Sequence, residues 1–258
     1  MGRTGKESSG IRLKTPDDIK RIREAGIVIA EIFSGLSNTE MCGVSTSQID
    51  SYIDSQIIKR GCRASFKTFS GYAHSSCISV NNEAVHGIPR KKKIIQNGDI
   101  VKIDIGVSKN GFFADACRTF SCGDIRSDAL KIVDTAKTAL TRGLSAVFPG
   151  SRLGDIGYAI QSFVESRGCS VVREFCGHGV GFAAHEAPSV LHYGKSGSGI
   201  KIEPGLVIAV EPIVNLGGMD VKLLSDGWTA VTKDGNLSAQ FEDTIAVTEN
   251  GSMILTRF

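Results

Sequence analysis

Asp104, Asp115, His178, Glu211 and Glu242 are spread over the last two thirds of the chain, and each lies in a stretch that reads as a strand or a glycine-rich strand end. Four carboxylates and one imidazole form a donor set for two divalent cations held side by side. Oxygen donors with a single nitrogen suit Mn, Fe, Co or Zn in an open site, whereas closed structural zinc sites favour thiolates. Four negative charges against two dications leave a nearly neutral centre in which a bound water readily loses a proton. The chemistry on offer is hydrolysis, provided the five side chains meet.

Two of them are placed by local pattern. Between Asp99 and Cys122 the chain alternates, with Val101, Ile103, Ile105 and Val107 on one face and Asp104 on the other. Asn110-Gly111 is a two-residue hairpin signal. With that turn Asp115 lies opposite Gly106 and Asp104 opposite Cys117, which makes the two acids same-face diagonal neighbours roughly 7–8 Å apart. A three-residue loop would break the parity. Acids on a strand commonly line a solvated sheet face, and Glu211 argues against that reading here. It closes the apolar run Leu206–Val210, where a charge should be paired or metal-bound, and Pro212 behind it fits an irregular strand end.

His178 stands in Cys-Gly-His-Gly-Val-Gly, where glycines allow close backbone approach. A lone histidine is more often structural than a ligand, but His185 follows seven residues later and His86 occurs in Val-His-Gly-Ile-Pro. Glu242 leads into a further apolar strand. His74 and His192 read as structural or surface residues.

Four helices must carry these strands. Thr15-Pro16-Asp17-Asp18 supplies an N-cap, a first-turn proline and acids for a helix to about Gly35. A second runs from about Ser45 to Arg60, a third from Ser127 to about Val147 and a fourth from Ser151 to Arg167. Ile49, Ile53 and Ile57 of the second match Ile156, Ile160 and Val164 of the fourth at an offset of 107, and Arg-Gly-Cys closes both. An internal duplication follows, with a site between two pseudo-symmetric halves.

Composition sets the outer limits. With 258 residues, 41% of them apolar, the chain can bury a sizeable core, and a net charge of +3 gives no ground for DNA binding. Seven cysteines without a C-x-x-C spacing point to a reduced, cytoplasmic chain. No apolar run approaches the roughly 20 residues that span a bilayer. The opening segment carries no secretory signal; Lys6 stands where myristoylation needs Ser or Thr, and Gly2 and Gly5 are too close for a phosphate-binding loop. Residues 1–11 are expected to form a flexible tail and 12–258 a single catalytic domain.

From about residue 12 onward the chain resembles the type I methionine aminopeptidases. The likeness rests on Val101–Gly106, the Asp115 strand, Gly177–Gly181, Glu211-Pro212 and Ser238–Thr244. It is narrowed by Asn82–Pro89, His185-Glu186-Ala187-Pro188 and Leu191-His192-Tyr193. The resemblance implies an α+β pita-bread fold whose curved antiparallel sheet holds two divalent metals on its concave face. Asp104 would bind one metal terminally, Asp115 and Glu242 would bridge, and His178 with Glu211 would complete the other shell. A bridging hydroxide would attack the carbonyl after the first residue, with Glu211 as general base, His185 on the scissile carbonyl and His86 on the amide nitrogen. The free α-amine would sit near Asp104. The implied activity is removal of the initiator methionine from nascent polypeptides when the second residue is small, by a cytoplasmic monomer.

Tyr72, Cys77 and Trp228, with Phe69 and Phe66 nearby, would build the methionine pocket, where thioether packing on rings and sulfur favours an unbranched apolar chain. The family places a phenylalanine directly before the second histidine; here that residue is Ala184. Either the pocket wall is thinner there or Phe182 fills in. The resemblance also implies a structural monovalent cation near Asn81, Glu83 and Ser238. The basic run Arg90–Lys93 reads as a solvated loop or as a transient ribosome contact. Thirty-one positions separate Glu211 from Glu242, too few for the helical insertion of type II enzymes. Two rivals share the fold: proline-specific peptidases, which carry a large N-terminal domain, and non-catalytic relatives, which lose metal ligands.

Overall fold

The computed structural model describes residues 10–258. The expected flexible tail therefore lies outside the described residues, except for Gly10 and Ile11, and Ile11 packs against a hydrophobic core.

The four helices form where their caps place them. Helix α1 (Pro16–Ser37) is closed by Thr15, whose side chain accepts from the Asp18 amide while the Asp18 carboxylate takes the Thr15 amide. Helix α2 (Thr46–Lys59) repeats that reciprocal cap with Ser45 and Gln48. Helix α3 covers Ser127–Ser145. Helix α4 (Leu153–Ser166) starts two residues later than the sequence suggests, because the Ser151 hydroxyl is committed to the Ala146 and Phe148 carbonyls at 2.9 and 2.7 Å. Arg152 becomes the cap residue instead, its amide held by Asp155.

Each helix pair covers its own core. The first core joins α1 and α2 to Val101, Ile103, Ile105 and Val107, all fully buried, so the alternating strand does bury the face expected of it. The second joins α3 and α4 to the C-terminal strands through Val210, Val214, Ile245 and Val247. Ile49, Ile53 and Ile57 sit in one core and Ile156, Ile160 and Val164 in the other, as a duplication requires.

All strand pairs are antiparallel. Ile100–Lys109 and Phe112–Ser121 form the central hairpin, with Ser76–Val80 and Arg63–Ala64 along the outer edge of the first. A five-stranded sheet runs in the order Gly251–Ile254, Asp243–Thr248, Val207–Val210, Gly177–Gly179, Glu186–Val190. Two three-stranded sheets complete the frame. One orders Ser238–Gln240, Ile213–Asn215 and Ser170–Val171; the other orders Val221–Leu223, Ala230–Thr232 and Glu83–Val85. The hairpin meets the C-terminal strands along a seam of paired backbone groups. Cys117 and Glu242 exchange amide-to-carbonyl bonds of 3.4 and 3.0 Å, and Phe113 donates to Gly181 at 2.8 Å.

Candidate metal centre

The seam is where the five candidate ligands converge. The Asn110-Gly111 turn has positive φ at both residues (52° and 83°), the signature of a two-residue hairpin, and the register follows: Gly106 faces Asp115 and Asp104 faces Cys117. On the other edge Asp104 pairs with Cys77. Thr244 stitches Asp115 to the C-terminal half, its hydroxyl accepting the Asp115 amide at 3.0 Å and donating to the Asp115 carbonyl at 2.8 Å. Val210 pairs with Asp243, so the two residues just outside that pair, Glu211 and Glu242, emerge side by side. His178 lies in Gly177–Gly179, between the strands 186–190 and 207–210. A Cβ at Gly177 would meet the Ala209 carbonyl at 2.3 Å and one at Gly179 the Ala187 carbonyl at 2.2 Å, so only glycine permits this approach.

Donor atoms of Asp104, Asp115 and Glu242 lie within 4.8 Å of one another, and so do those of His178, Glu211 and Glu242. Glu242 belongs to both sets, the position of a bridging carboxylate. Asp115 also groups with His178 and His185 within that distance. One oxygen each of Asp104, Asp115 and Glu242 is buried without a hydrogen-bond partner. Burying a carboxylate oxygen unpaired is costly, and three in one place fit a cation site. Burial, then the Asp115 and Glu211 charges, holds Asp104 well above the usual carboxylate range; burial alone carries Asp115 up to about 7. Glu211 and Glu242 are pushed up by burial first and by their acidic neighbours second. This is the electrostatic profile of a donor set that needs positive charge to ionise. The residues fit a divalent-cation site.

The candidate ligands are oriented from behind. His178 Nδ1 sits 2.9 Å from the Gly179 carbonyl, which fixes a tautomer with Nε2 free as a lone-pair donor, and Nε2 lies 3.6 Å from Glu211 Oε1. Gln240 donates to Glu211 Oε2 at 3.2 Å, and the fully buried His192 accepts the Glu211 amide at 3.1 Å. Sequence reasoning passed over Gln240 and Thr244 and left His192 undecided between structure and surface. A pairing signal existed for none of them, since each contacts its partner across the fold.

A cavity of about 660 Å³ opens in front of the ligands. One end is aromatic: Tyr72 and Trp228 pack edge to face at 4.9 Å, Phe66 meets Tyr72 at 6.4 Å, and Cys77 lies beneath them in register with Asp104. The Phe69 ring meets His185 at a tilt with centroids 5.0 Å apart, and His185 meets His178 likewise at 4.0 Å. His86 also lines the cavity, packed against Phe175, with its backbone at φ 58°. Burial and then the nearby His185 lower His86 to about 4, burial and then His185 lower His178 to about 3, and burial lowers His185. All three imidazoles are neutral at pH 7.

The structure corrects the expectation about Ala184. Neither Ala184 nor Phe182 is among the residues lining the cavity. Ala184 is buried outside it, and the Phe182 ring turns away to Phe112 and beneath the Arg12 guanidinium, 4.1 Å from its centre. The cause is the buried Glu186 carboxylate, which takes the amides of Phe182 and Ala183 and a 2.6 Å ion pair from Lys14. The loop before His185 is thereby folded outward.

Two other expectations meet particular side chains. Where a monovalent cation was expected, Lys102 Nζ donates to the Asn81 and Ser238 carbonyls at 2.7 and 2.8 Å. Burial lowers the Lys102 pKa to about 7. In the basic run, Arg90 pairs with Asp226 at 2.7 Å and Lys93 with Glu83, while Lys91 and Lys92 are exposed. Among the described residues, no helix is long and apolar enough to cross a membrane.

Antiparallel sheets that gather four carboxylates and a histidine beside an apolar cleft define a metallopeptidase scaffold, and the model of metallopeptidase family M24 matches residues 20–249. The chain is 44% identical over 244 residues to methionine aminopeptidase 1 of Bacillus subtilis, covering 95% of this chain and 98% of that protein. The crystal structure of the Thermotoga maritima methionine aminopeptidase superposes with a TM-score of 0.94 at 38% identity, over 96% of this chain and 100% of that one. The prolidase of Pyrococcus furiosus shares the fold alone, with a TM-score of 0.76 at 22% identity over 95% of this chain and 65% of its own. The chain belongs to family M24, among the type I methionine aminopeptidases with the pita-bread fold. It is a metal-dependent hydrolase.

Proposed function

We propose that residues 12–258 act as one catalytic domain that removes the initiator methionine from nascent chains through a dinuclear centre. The observation that carries this reading is the sharing of Glu242 between two donor sets beside an aromatic, sulfur-lined cleft. When bound, two divalent cations supply the Lewis acidity that makes a water nucleophilic at neutral pH. Asp104 would hold one ion and His178 with Glu211 the other, while Asp115 and Glu242 would be shared.

Glu211 is the general base. Gln240 holds one of its oxygens, and burial raises the carboxyl well above the usual carboxylate range, which favours its taking a proton. His185, neutral and open to the cavity, offers an N–H to the scissile carbonyl as negative charge develops there. His86, also lining the cavity, hydrogen-bonds the scissile amide nitrogen. The methionine side chain enters among Tyr72, Cys77, Trp228, Phe69 and Phe66, and the free α-amine lies toward Asp104, whose neighbour in register is Cys77. The second residue of the substrate is small, the preference that the resemblance to the family implies. The protein works as a cytoplasmic monomer, and the exposed Lys91 and Lys92 are placed for a transient ribosome contact.

The test is cleavage of Met-Ala-X and Met-Gly-X peptides against X-Pro peptides, after chelation and again after adding Mn, Co or Fe. Methionine release that requires the added metal is expected. Full activity after exhaustive chelation, or a preference for X-Pro, defeats the proposal.

A further inference from the structure

Lys102 is the largest fully buried charged side chain among the described residues, 1% exposed and two positions before Asp104 on the same face of its strand. Its Nζ ends between two main-chain carbonyls, Asn81 at 2.7 Å and Ser238 at 2.8 Å. Both oxygens are acceptors, so Nζ must supply the protons. They come from opposite halves of the molecule. Asn81 holds the left-handed corner (φ 52°) between Ser76–Val80 and Glu83–Val85, the segment that leads to His86. That corner is fixed by its own side chain, which bonds Asp99 and the Ile100 amide. Ser238 opens Ser238–Gln240, which carries Gln240 behind Glu211 and leads into Glu242. The Ser238 amide also donates to the Asn81 carbonyl at 3.1 Å, so Lys102 adds a second tie at the same junction.

Main-chain carbonyls from separate segments aimed at one point are the usual cage of an alkali-metal ion. Here the point is taken. An ion sharing those two oxygens would overlap Nζ, so the point cannot hold both. The monovalent cation implied by the family resemblance therefore does not fit these residues.

We propose that Lys102 is a tethered replacement for a structural alkali-metal ion, docking the strand that leads to Glu242 onto the corner that leads to His86. It makes this protein indifferent to Na⁺ and K⁺. Lys102 is a positioning residue: it touches neither the ligands nor the cavity and acts through the two segments it joins. The consequence for Glu242 rests on the metal-centre reading above, whereas the cation replacement does not, and the experiment separates them.

The readout is the thermal unfolding midpoint of the metal-loaded protein in choline chloride against NaCl and KCl at equal ionic strength. The native protein should give one midpoint in all three salts. Lys102→Ala leaves the buried Ser238 carbonyl without its Lys102 donor and the Asn81 carbonyl with the Ser238 amide alone, so its midpoint in choline should fall by roughly 3–15 °C. Na⁺ or K⁺ should then restore it in a saturable way, and Mn content per chain should recover alongside. Lys102→Met, which fills the space without a donor, should lose the same stability with no alkali-ion rescue. A saturable rise of the native midpoint with Na⁺ or K⁺ overturns the proposal, and that arm needs no variant. Lys102→Ala that keeps the native midpoint in choline, or loses it with no response to either ion, overturns it as well. None of these outcomes depends on the peptide the enzyme cleaves.

Discussion

His185 and Asp115 lie within 4.8 Å of one another through their donor atoms, yet exchanging them should fail in opposite ways. His185 is neutral at pH 7, so His185→Ala alters no charge in the centre and leaves all four carboxylates and His178 in place. Its ring opens to the cavity, and its packing neighbours Phe69 and His178 are anchored elsewhere. Metal content should stay near the native value. What is lost is one donor aimed at the developing oxyanion, a loss of about 10²–10³ in kcat, or about 2.7–4 kcal/mol, with KM little changed. Asp115→Asn keeps the shape but removes a buried negative charge that lies between the two donor sets. Breaking such a pairing costs about 3–5 kcal/mol, which weakens metal binding roughly 10²–10⁴-fold. The assay is metal per chain by elemental analysis, with kcat and KM on Met-Ala-X measured at saturating and at limiting metal. If His185→Ala lost its metal while Asp115→Asn kept it, His185 would be a ligand and the assignment of roles would be wrong. His185→Gln, which retains an N–H, should recover part of kcat.

The other expectations concern the loop, the buried ion pair and protons. Ala184→Phe forces a ring into a packed site outside the cavity, so the unfolding midpoint should drop by roughly 2–12 °C while kcat/KM ratios among Met-, norleucine- and Leu-Ala substrates stay constant; a change in those ratios would return Ala184 to the pocket wall. Lys14→Met strands the Glu186 carboxylate, whose side chain is 9% exposed, and should cost about 3–5 kcal/mol, with stability partly regained in Lys14→Met/Glu186→Leu. No recovery in the double variant would mean that Lys14 acts through packing alone. Raised carboxylate pKa values make the metal-free fold bind protons more tightly than the unfolded chain. Its stability should therefore fall as pH rises from about 4 through the Asp115 value of about 7, and Mn or Co should cancel that fall and release protons on binding. Calorimetry in buffers of different ionisation enthalpy measures the release; binding without proton release at pH 6 would show the carboxylates already ionised.

Much of the frame is written in short-range pattern. Reciprocal caps at Thr15 and Ser45 set two helix starts within a residue, and Asn110-Gly111 fixed the register that pairs Gly106 with Asp115. Those signals are local, because a cap or a tight turn is satisfied by residues three or four apart. Alternation identified which face Asp104 takes, but not what lies against that face. Lys102 shares it, and in a single hairpin a lysine there would read as solvent-facing. It is buried because Ser238–Gln240 arrives more than a hundred residues later. Gln240, Thr244 and His192 went unassigned for the same reason. Ala184 shows the converse: its position in the motif suggested a pocket wall, but the Glu186 carboxylate, neutralised by Lys14, turns that loop outward.

The duplicated halves explain why the centre sits at a seam. A hairpin alone can present Asp104 and Asp115, but two acids on a bare strand face would be solvated and hold a cation weakly. The C-terminal half contributes the remaining ligands from the ends of the paired strands, and its backbone bonds with the hairpin at Cys117 and Glu242 exclude water from the carboxylates. That burial raises their pKa values and so makes the folded, metal-free seam costly to ionise. A bound divalent metal would relieve the same cost, coupling assembly of the two halves to loading of the site. Lys102 stands on the neutral-oxygen side of this junction and the carboxylates on the other. One cation built into the chain and two taken from solution would then hold one seam together, and the tethered one is present before either metal arrives.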